Sequence, residues 1–356
     1  MTPAAVLRTS GRDAGVDCAR GLAMTLVVLG HSLAFALLSP GATAFVFTFH
    51  VPAFFFISGY LLRPDRFSPR RTAWRILIPF VAVGLPLLLL KSALRGENPV
   101  LALAGLAWGT GATLPSSQLW FLPALFLALL LAAALARNWG DPLRPAAAAA
   151  TLLALLLLGY LALHAPQPPV EALRGPGVAG PVGWAWSLDL APLAAFYCLC
   201  GHLARRSGIL ERLGVWTLAP GLALALACFA LGARTDLNLR LSEPFPLAVL
   251  AALGGTLAVF MLGRVAAAAG AIAAGLSAIG RHSIMILAFH VTVQNAAVAV
   301  ALRLADRLAG GQAESPAVLA AATLLGLAAG LGAPLLLSVA FDRARLRLGP
   351  ARPAGS

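Results

Sequence analysis

This sequence predicts an all-α, polytopic membrane protein of about ten transmembrane helices, and three observations carry the prediction. Hydrophobic residues make up 60% of the chain and charged residues only 11%, well below the roughly 25% of a globular domain. The apolar residues fall in runs of about twenty, the length a helix needs to cross a hydrocarbon core. Polar, arginine-rich or proline-rich breaks separate those runs. The same figures exclude a soluble enzyme, a disordered chain and a secreted disulfide scaffold.

Taken in order, the first run is 20–38, RGLAMTLVVLGHSLAFALL. It is too long, and with His31 inside it too polar, for a secretory signal, so it reads as an uncleaved helix. The second, 44–62, ends at the basic run that begins with Arg63. The third, 72–91, starts after that run and ends at Lys91. Residues 92–117 contain LALAGLAWGTGA, apolar but short and glycine-rich, which reads as an outer loop or re-entrant piece. Spans four and five, 118–136 and 146–164, are divided by RNWGDPLRP. The proline- and glycine-rich 165–183 forms an outer loop before span six, 185–204. RRSGILERL precedes span seven, 214–232, and RTDLNLRLSE precedes span eight, 244–263. The Ala/Gly-rich 264–282 reads as an inner interfacial helix, and spans nine (283–302) and ten (316–341) complete the set. No internal repeat or soluble domain is visible. Residues 1–356 are therefore expected to form a single integral membrane domain, with 1–19 a cytoplasmic N-terminal segment and 342–356 a cytoplasmic tail.

Charge supports that threading. With both termini cytoplasmic, 19 basic and 6 acidic residues lie inside, against 7 and 7 outside, so the inner face carries the whole net charge of +13. Because the arginines sit between apolar spans and form no single patch, nucleic acid is not an expected partner. Cys18, Cys198, Cys200 and Cys228 show no Cys-x-x-Cys spacing and read as small buried residues.

Polar groups inside apolar spans are costly and mark function. His31 stands eleven residues after Arg20, close to three helical turns, so both share one face about 16 Å apart along the axis. Asp17 continues that face if the helix extends back. In FTFHVPAFFFISGYLLR, His50 lies thirteen residues before Arg63, about 19 Å deeper. His290 lies nine residues past Arg281, about 13 Å in. Three imidazoles thus fall at similar depth and form one site if their helices are neighbours. The run RPDRFSPRRTAWR holds Arg63, Arg66, Arg70, Arg71 and Arg75. It serves as a topology signal, and its guanidinium forks also suit phosphates. Asp189 either binds acceptor hydroxyls or faces the outer water; Gln294 and Asn295 either line the site or cross-link helices. A zinc site on the three histidines lacks a carboxylate or cysteine at helical spacing, so no metal is expected.

RDAGVDCARGLAMTLVVLGHS, FHVPAFFFISGYLLR, SQLWFLPALF and AIGRHSIMILAFHV, in that order, span most of the chain. Together they resemble the membrane acyltransferases of the acyltransferase 3 family. FHVPAFFFISGY is similar to the fucose 4-O-acetylase-like branch. The family's Arg-x10-His pair corresponds to Arg20 and His31, and its Ser-Gly-x3-Arg motif to Ser58, Gly59 and Arg63. Its common Arg-x2-Arg pair is spaced differently here, with three residues between Arg71 and Arg75.

The resemblance implies transfer of an acyl group, often acetyl, from acyl-CoA to a hydroxyl. The acceptor would be a sugar, glycan, glycolipid or natural product, and the setting a bacterial inner membrane. Acyl-CoA acts as cosubstrate, and no permanently bound cofactor is expected. Its phosphates would meet Arg20, Arg63, Arg71 and Arg75, with the thioester beside His31 as general base. His50, His290, Ser58 and Asp17 would support that site, Asp17 by pairing with Arg20, and Trp120 in the LWFL segment either belongs to the aromatic belt at an outer span end or contacts acceptor. The competing readings are a secondary transporter, which suits mid-membrane histidines and interrupted helices, and a carrier moving the acyl group across the membrane for another enzyme.

Overall fold

Proline and glycine punctuate the chain where its helices start and stop. Proline, with no N–H to lose at a first turn, opens α3 (Pro40–Phe47), α5 (Pro69–Arg95), α6 (Pro99–Trp108), α8 (Pro145–Leu163) and α15 (Pro316–Leu348). In the computed structural model, which describes residues 13–140, 142–178, 180–309 and 315–348, the remaining helices are α1 (Ala14–Gly30), α2 (Leu33–Leu38), α4 (His50–Tyr60), α7 (Phe121–Ala136), α9 (Ala191–Ser207), α10 (Ile209–Leu213), α11 (Leu218–Ala230), α12 (Phe245–Ala266), α13 (Gly270–Arg281) and α14 (Ser283–Ala309). One antiparallel hairpin, β1 (Arg234–Asp236) and β2 (Leu241–Glu243), joins α11 to α12, pairing Arg234 with Glu243 and Asp236 with Leu241.

Among the described residues, nine helical segments are long and apolar enough to cross a membrane. They match the second to tenth expected spans. The first span is divided, because α1 stops after 17 residues at Gly30 and a new six-residue helix begins at Leu33. Ser32 makes this break, its Oγ accepting the Phe35 N–H at 3.4 Å as the cap of α2. The second span breaks as well, between α3 and α4, where the Thr48 hydroxyl donates to the Phe45 carbonyl at 2.6 Å. Both runs were expected to be continuous. Hydropathy does not register a change of axis inside an apolar run.

Other boundaries need smaller corrections. Helix α1 starts at Ala14, inside the expected N-terminal segment, and α15 continues to Leu348, inside the expected tail. Residues 1–12 and 349–356 of those two segments lie outside the described residues. The stretch 92–117 contains a helix, α6. The Ala/Gly-rich 264–282 forms α13, which packs along α1 as well as leading into α14.

Helices α1, α4, α9 and α12 form the centre, and small residues let their backbones touch. A Cβ on Gly59 of α4 would lie 1.8 Å from the Cys198 carbonyl oxygen of α9, and one on Gly201 would lie 2.0 Å from the Phe56 oxygen. In the same way, α13 closes on α1 at Gly280, whose added Cβ would fall 2.1 Å from the Asp17 oxygen. Such contact replaces a hydrophobic drive that lipid cannot supply. The outer helices α8, α11 and α15 leave leucines exposed, including Leu153, Leu157, Leu224, Leu325 and Leu336, which suits a face turned toward hydrocarbon.

Candidate active site

The breaks in spans one and two bring their ends together. His31 caps the end of α1, and His50 opens α4. Their ring centroids are 6.0 Å apart, and His290 of α14 lies 5.3 Å from His31, nearly perpendicular to it. Phe47 packs against His31 and His50, at 5.5 and 4.7 Å.

His31 and His290 are oriented by carbonyls of the helices that carry them, and His50 by one of the preceding helix α3. His31 Nδ1 meets the Val27 carbonyl at 2.9 Å, and His50 Nδ1 meets that of Val46 at 3.0 Å. His290 Nδ1 lies 3.0 Å from the carbonyls of both Ile286 and Leu287. A carbonyl only accepts, so Nδ1 carries the proton in all three rings, and in the neutral form Nε2 keeps the lone pair. Exposure separates them: His31 is half-buried, His50 is buried and His290 is fully buried.

A cavity of about 450 Å³ connects this cluster to one end of the bundle. Arg20, Arg63, Arg66, Arg71, Arg75 and Arg281 line its mouth, contributed by α1, the α4–α5 connection, α5 and α13. All but half-buried Arg20 are exposed. Ser58 and Phe54 of α4 and Ile76 of α5 line the passage, and His31, His50, Gln118 and Trp120 line its deeper part. The cavity thus brings together His31, His50, Ser58, Arg20, Arg63, Arg71, Arg75 and Trp120.

Five expected site residues fall outside it. Asp17 is buried in α1 and does not line the cavity. Asp189 does not face the outer water; its carboxylate pairs with Arg240, Nε to Oδ2 at 2.9 Å, with both side chains almost fully buried. Gln294 is fully buried, packed against Gly326 and Gly330 of α15 and so between α14 and α15. Asn295 is exposed and lines a second cleft, between α2 and α14, that also reaches His31. His290 backs His31 without lining the cavity. Among the described residues no three His, Cys, Asp or Glu side chains are arranged to hold a metal ion.

Sequence reasoning missed the far wall of the cavity. The β1–β2 hairpin inserts Asp236, Leu237 and Asn238 there, although RTDLNLRLSE reads as an ordinary polar loop. Asp236 Oδ1 accepts the Leu239 N–H at 3.2 Å. Burial pushes the Asp236 carboxyl up, opposed by the backbone N–H groups of Leu239 and Asn238, by nearby His31 and by Arg240. Gln118 donates through Nε2 to the Ala288 carbonyl at 3.3 Å, while its Oε1 is buried without a partner.

Fold and cavity define a multi-pass membrane protein whose internal histidine site is reached from an arginine-lined mouth. The chain matches the acyltransferase 3 family, described as an acyltransferase domain, over residues 13–343, and it belongs to that family of membrane acyltransferases. Comparison with curated proteins and with solved structures finds no match.

Proposed function

We propose that the protein is an acyl-CoA-dependent O-acyltransferase that moves an acyl group, acetyl by preference, to a hydroxyl of a sugar, glycan, glycolipid or natural product. The observation that carries this reading is the single cavity joining six arginines to the accessible imidazole of His31. Acyl-CoA enters at the arginine mouth, where guanidinium forks meet its phosphates. The eleven residues from Arg20 to His31 span about 16 Å of helix, over which the pantetheine arm carries the thioester inward. Nε2 of His31 takes the acceptor hydroxyl's proton as its oxygen attacks the thioester carbonyl. The C–S bond breaks, the CoA thiolate leaves, and His31 returns the proton to it. His50 and Ser58 shape the chamber, His290 backs His31, and Trp120 forms part of the acceptor's surroundings.

Discontinuous helices at mid-depth are also a transporter feature, but membership of an acyltransferase family favours chemistry in this cavity. Purified protein supplied with acetyl-CoA is expected to release CoA thiol, faster with sugar acceptors present, and to yield acylated sugar. Transmembrane movement of the acyl group with no acylated product would favour the carrier reading.

The arginines give a direct check on the donor. Arg63→Ala or Arg75→Ala is expected to weaken acyl-CoA binding about tenfold, the scale of one charge-assisted hydrogen bond at an exposed site. Lysine at either position should lose less, keeping the charge without the fork. Calorimetric titration of the folded variants measures this, and unchanged affinity would remove the arginines from the donor site.

The division of basic residues supports placing the arginine mouth and both termini in the cytoplasm. Cysteines introduced at positions 170 and 345 are then expected to label from outside and only after permeabilisation, respectively. The opposite pattern would invert the topology and the side from which donor enters.

A further inference from the structure

We propose that Asp236 is a positioning residue for the transfer reaction: its carboxylate, delivered by the β1–β2 hairpin to the cavity that His31 lines, stabilises the imidazolium that forms when His31 takes the acceptor's proton. The inference rests on the reading of His31 as general base.

The hairpin turn is held in place by an elaborate lock. Arg240 donates through Nε to Asp189 at 2.9 Å, through Nη2 to Ser187 Oγ at 3.1 Å, and through Nη1 to the Asn238 carbonyl at 2.7 Å. Its charge is therefore engaged by Asp189, and its remaining donors fasten the turn that carries Asp236. Three non-glycine residues, Trp186, Ser187 and Arg240, have φ between 56° and 58°, a region costly for L-residues and usually retained where surrounding structure enforces it. Ser187 and Arg240 belong to this lock, and Trp186 is the chain neighbour of Ser187. Two glycines make room for it: a Cβ on Gly183 would lie 1.9 Å from Arg240 Nη2, and one on Gly111 would lie 1.8 Å from Asn238 Oδ1.

What the lock presents is a half-buried carboxyl group lining the same cavity as His31 and His50, near enough for its charge to act on His31. Nδ1 of His31 is already committed to the Val27 carbonyl. The proton gained during transfer therefore goes to Nε2, and the new charge spreads over a ring that lines the same cavity as Asp236. A negative group fixed near developing positive charge acts at the transition state more than in the ground state.

The test is a double-mutant cycle read by CoA-thiol release from acetyl-CoA, with water or added sugar as acceptor. Asp236→Asn keeps the oxygen that accepts the Leu239 N–H and removes only the charge. It is expected to lower kcat 10- to 100-fold, with KM for acetyl-CoA within about threefold, and Asp236→Glu is expected to recover part of the loss. In a His31→Gln background, Asp236→Asn should cost less than threefold more. Near-wild-type kcat for Asp236→Asn, or losses that multiply fully in the double variant, would overturn the proposal. So would failure of both the Asn and Glu variants to fold, which would make the carboxylate structural. Near-wild-type turnover of His31→Gln would instead overturn the general-base reading, and this proposal with it.

Discussion

Replacing His31 by glutamine is expected to cut acyl transfer by about 10²- to 10⁴-fold, the usual contribution of a general base, while acyl-CoA binding stays within a few fold. Glutamine retains a donor for the Val27 carbonyl but cannot take a proton near neutral pH, so it separates the hydrogen bond His31 makes from the base it supplies. The same substitution at His50 is expected to cost less, because His50 is buried deeper and His31 is the more accessible imidazole. Steady-state kinetics of both variants, with folding checked by size-exclusion elution and thermal stability, measure this. Near-wild-type turnover in folded His31→Gln would transfer the role to His50.

The second large effect concerns stability. Asp189→Ala leaves the Arg240 guanidinium buried and uncompensated, and removing one partner of a buried pair costs about 3–5 kcal/mol. A clear fall in thermal unfolding temperature in detergent is expected. The paired change Asp189→Leu with Arg240→Met should restore much of the loss, because two apolar residues leave no stranded charge. If Asp189→Ala unfolds at the wild-type temperature, the lock contributes nothing to the fold. If the paired variant recovers stability without activity, the lock's work is to place the hairpin.

The sequence made the membrane class legible because hydrophobic length is a local property, and every expected span after the first appears as an apolar membrane-length segment. Much of the cavity was legible for a similar reason. Arg20 and His31 share a helix face through their spacing, and Arg63, Arg71 and Arg75 cluster along the chain itself. The breaks at His31–Ser32 and Thr48–Phe49 were not legible, since each lies inside an unbroken apolar run and follows from local capping. Asp189 looked open to two fates because its partner, Arg240, stands 51 residues away. Nothing in the intervening sequence fixes that pairing. Asp236 was hidden for the same reason: its position depends on how the hairpin folds back between α11 and α12.

The two helix breaks also set the direction of the local field. Helix α1 reaches His31 with its C-terminal end, whose carbonyls carry the negative pole of the helix dipole, whereas α4 begins at His50 with its positive N-terminal end, uncapped by any side chain of Phe49. A pole of this kind changes the stability of a nearby charge by about 0.3–1 kcal/mol, and by up to about 2 kcal/mol when partly buried. At each break, with the two rings 6.0 Å apart, a negative C-terminal pole meets a positive N-terminal one, α1 with α2 at His31 and α3 with α4 at His50. Each imidazole Nδ1 donates to a carbonyl of the helix that ends there. An unbroken first span would carry its negative pole away to the far membrane edge. Interrupting it at mid-depth keeps that pole beside the imidazole on which charge is proposed to develop.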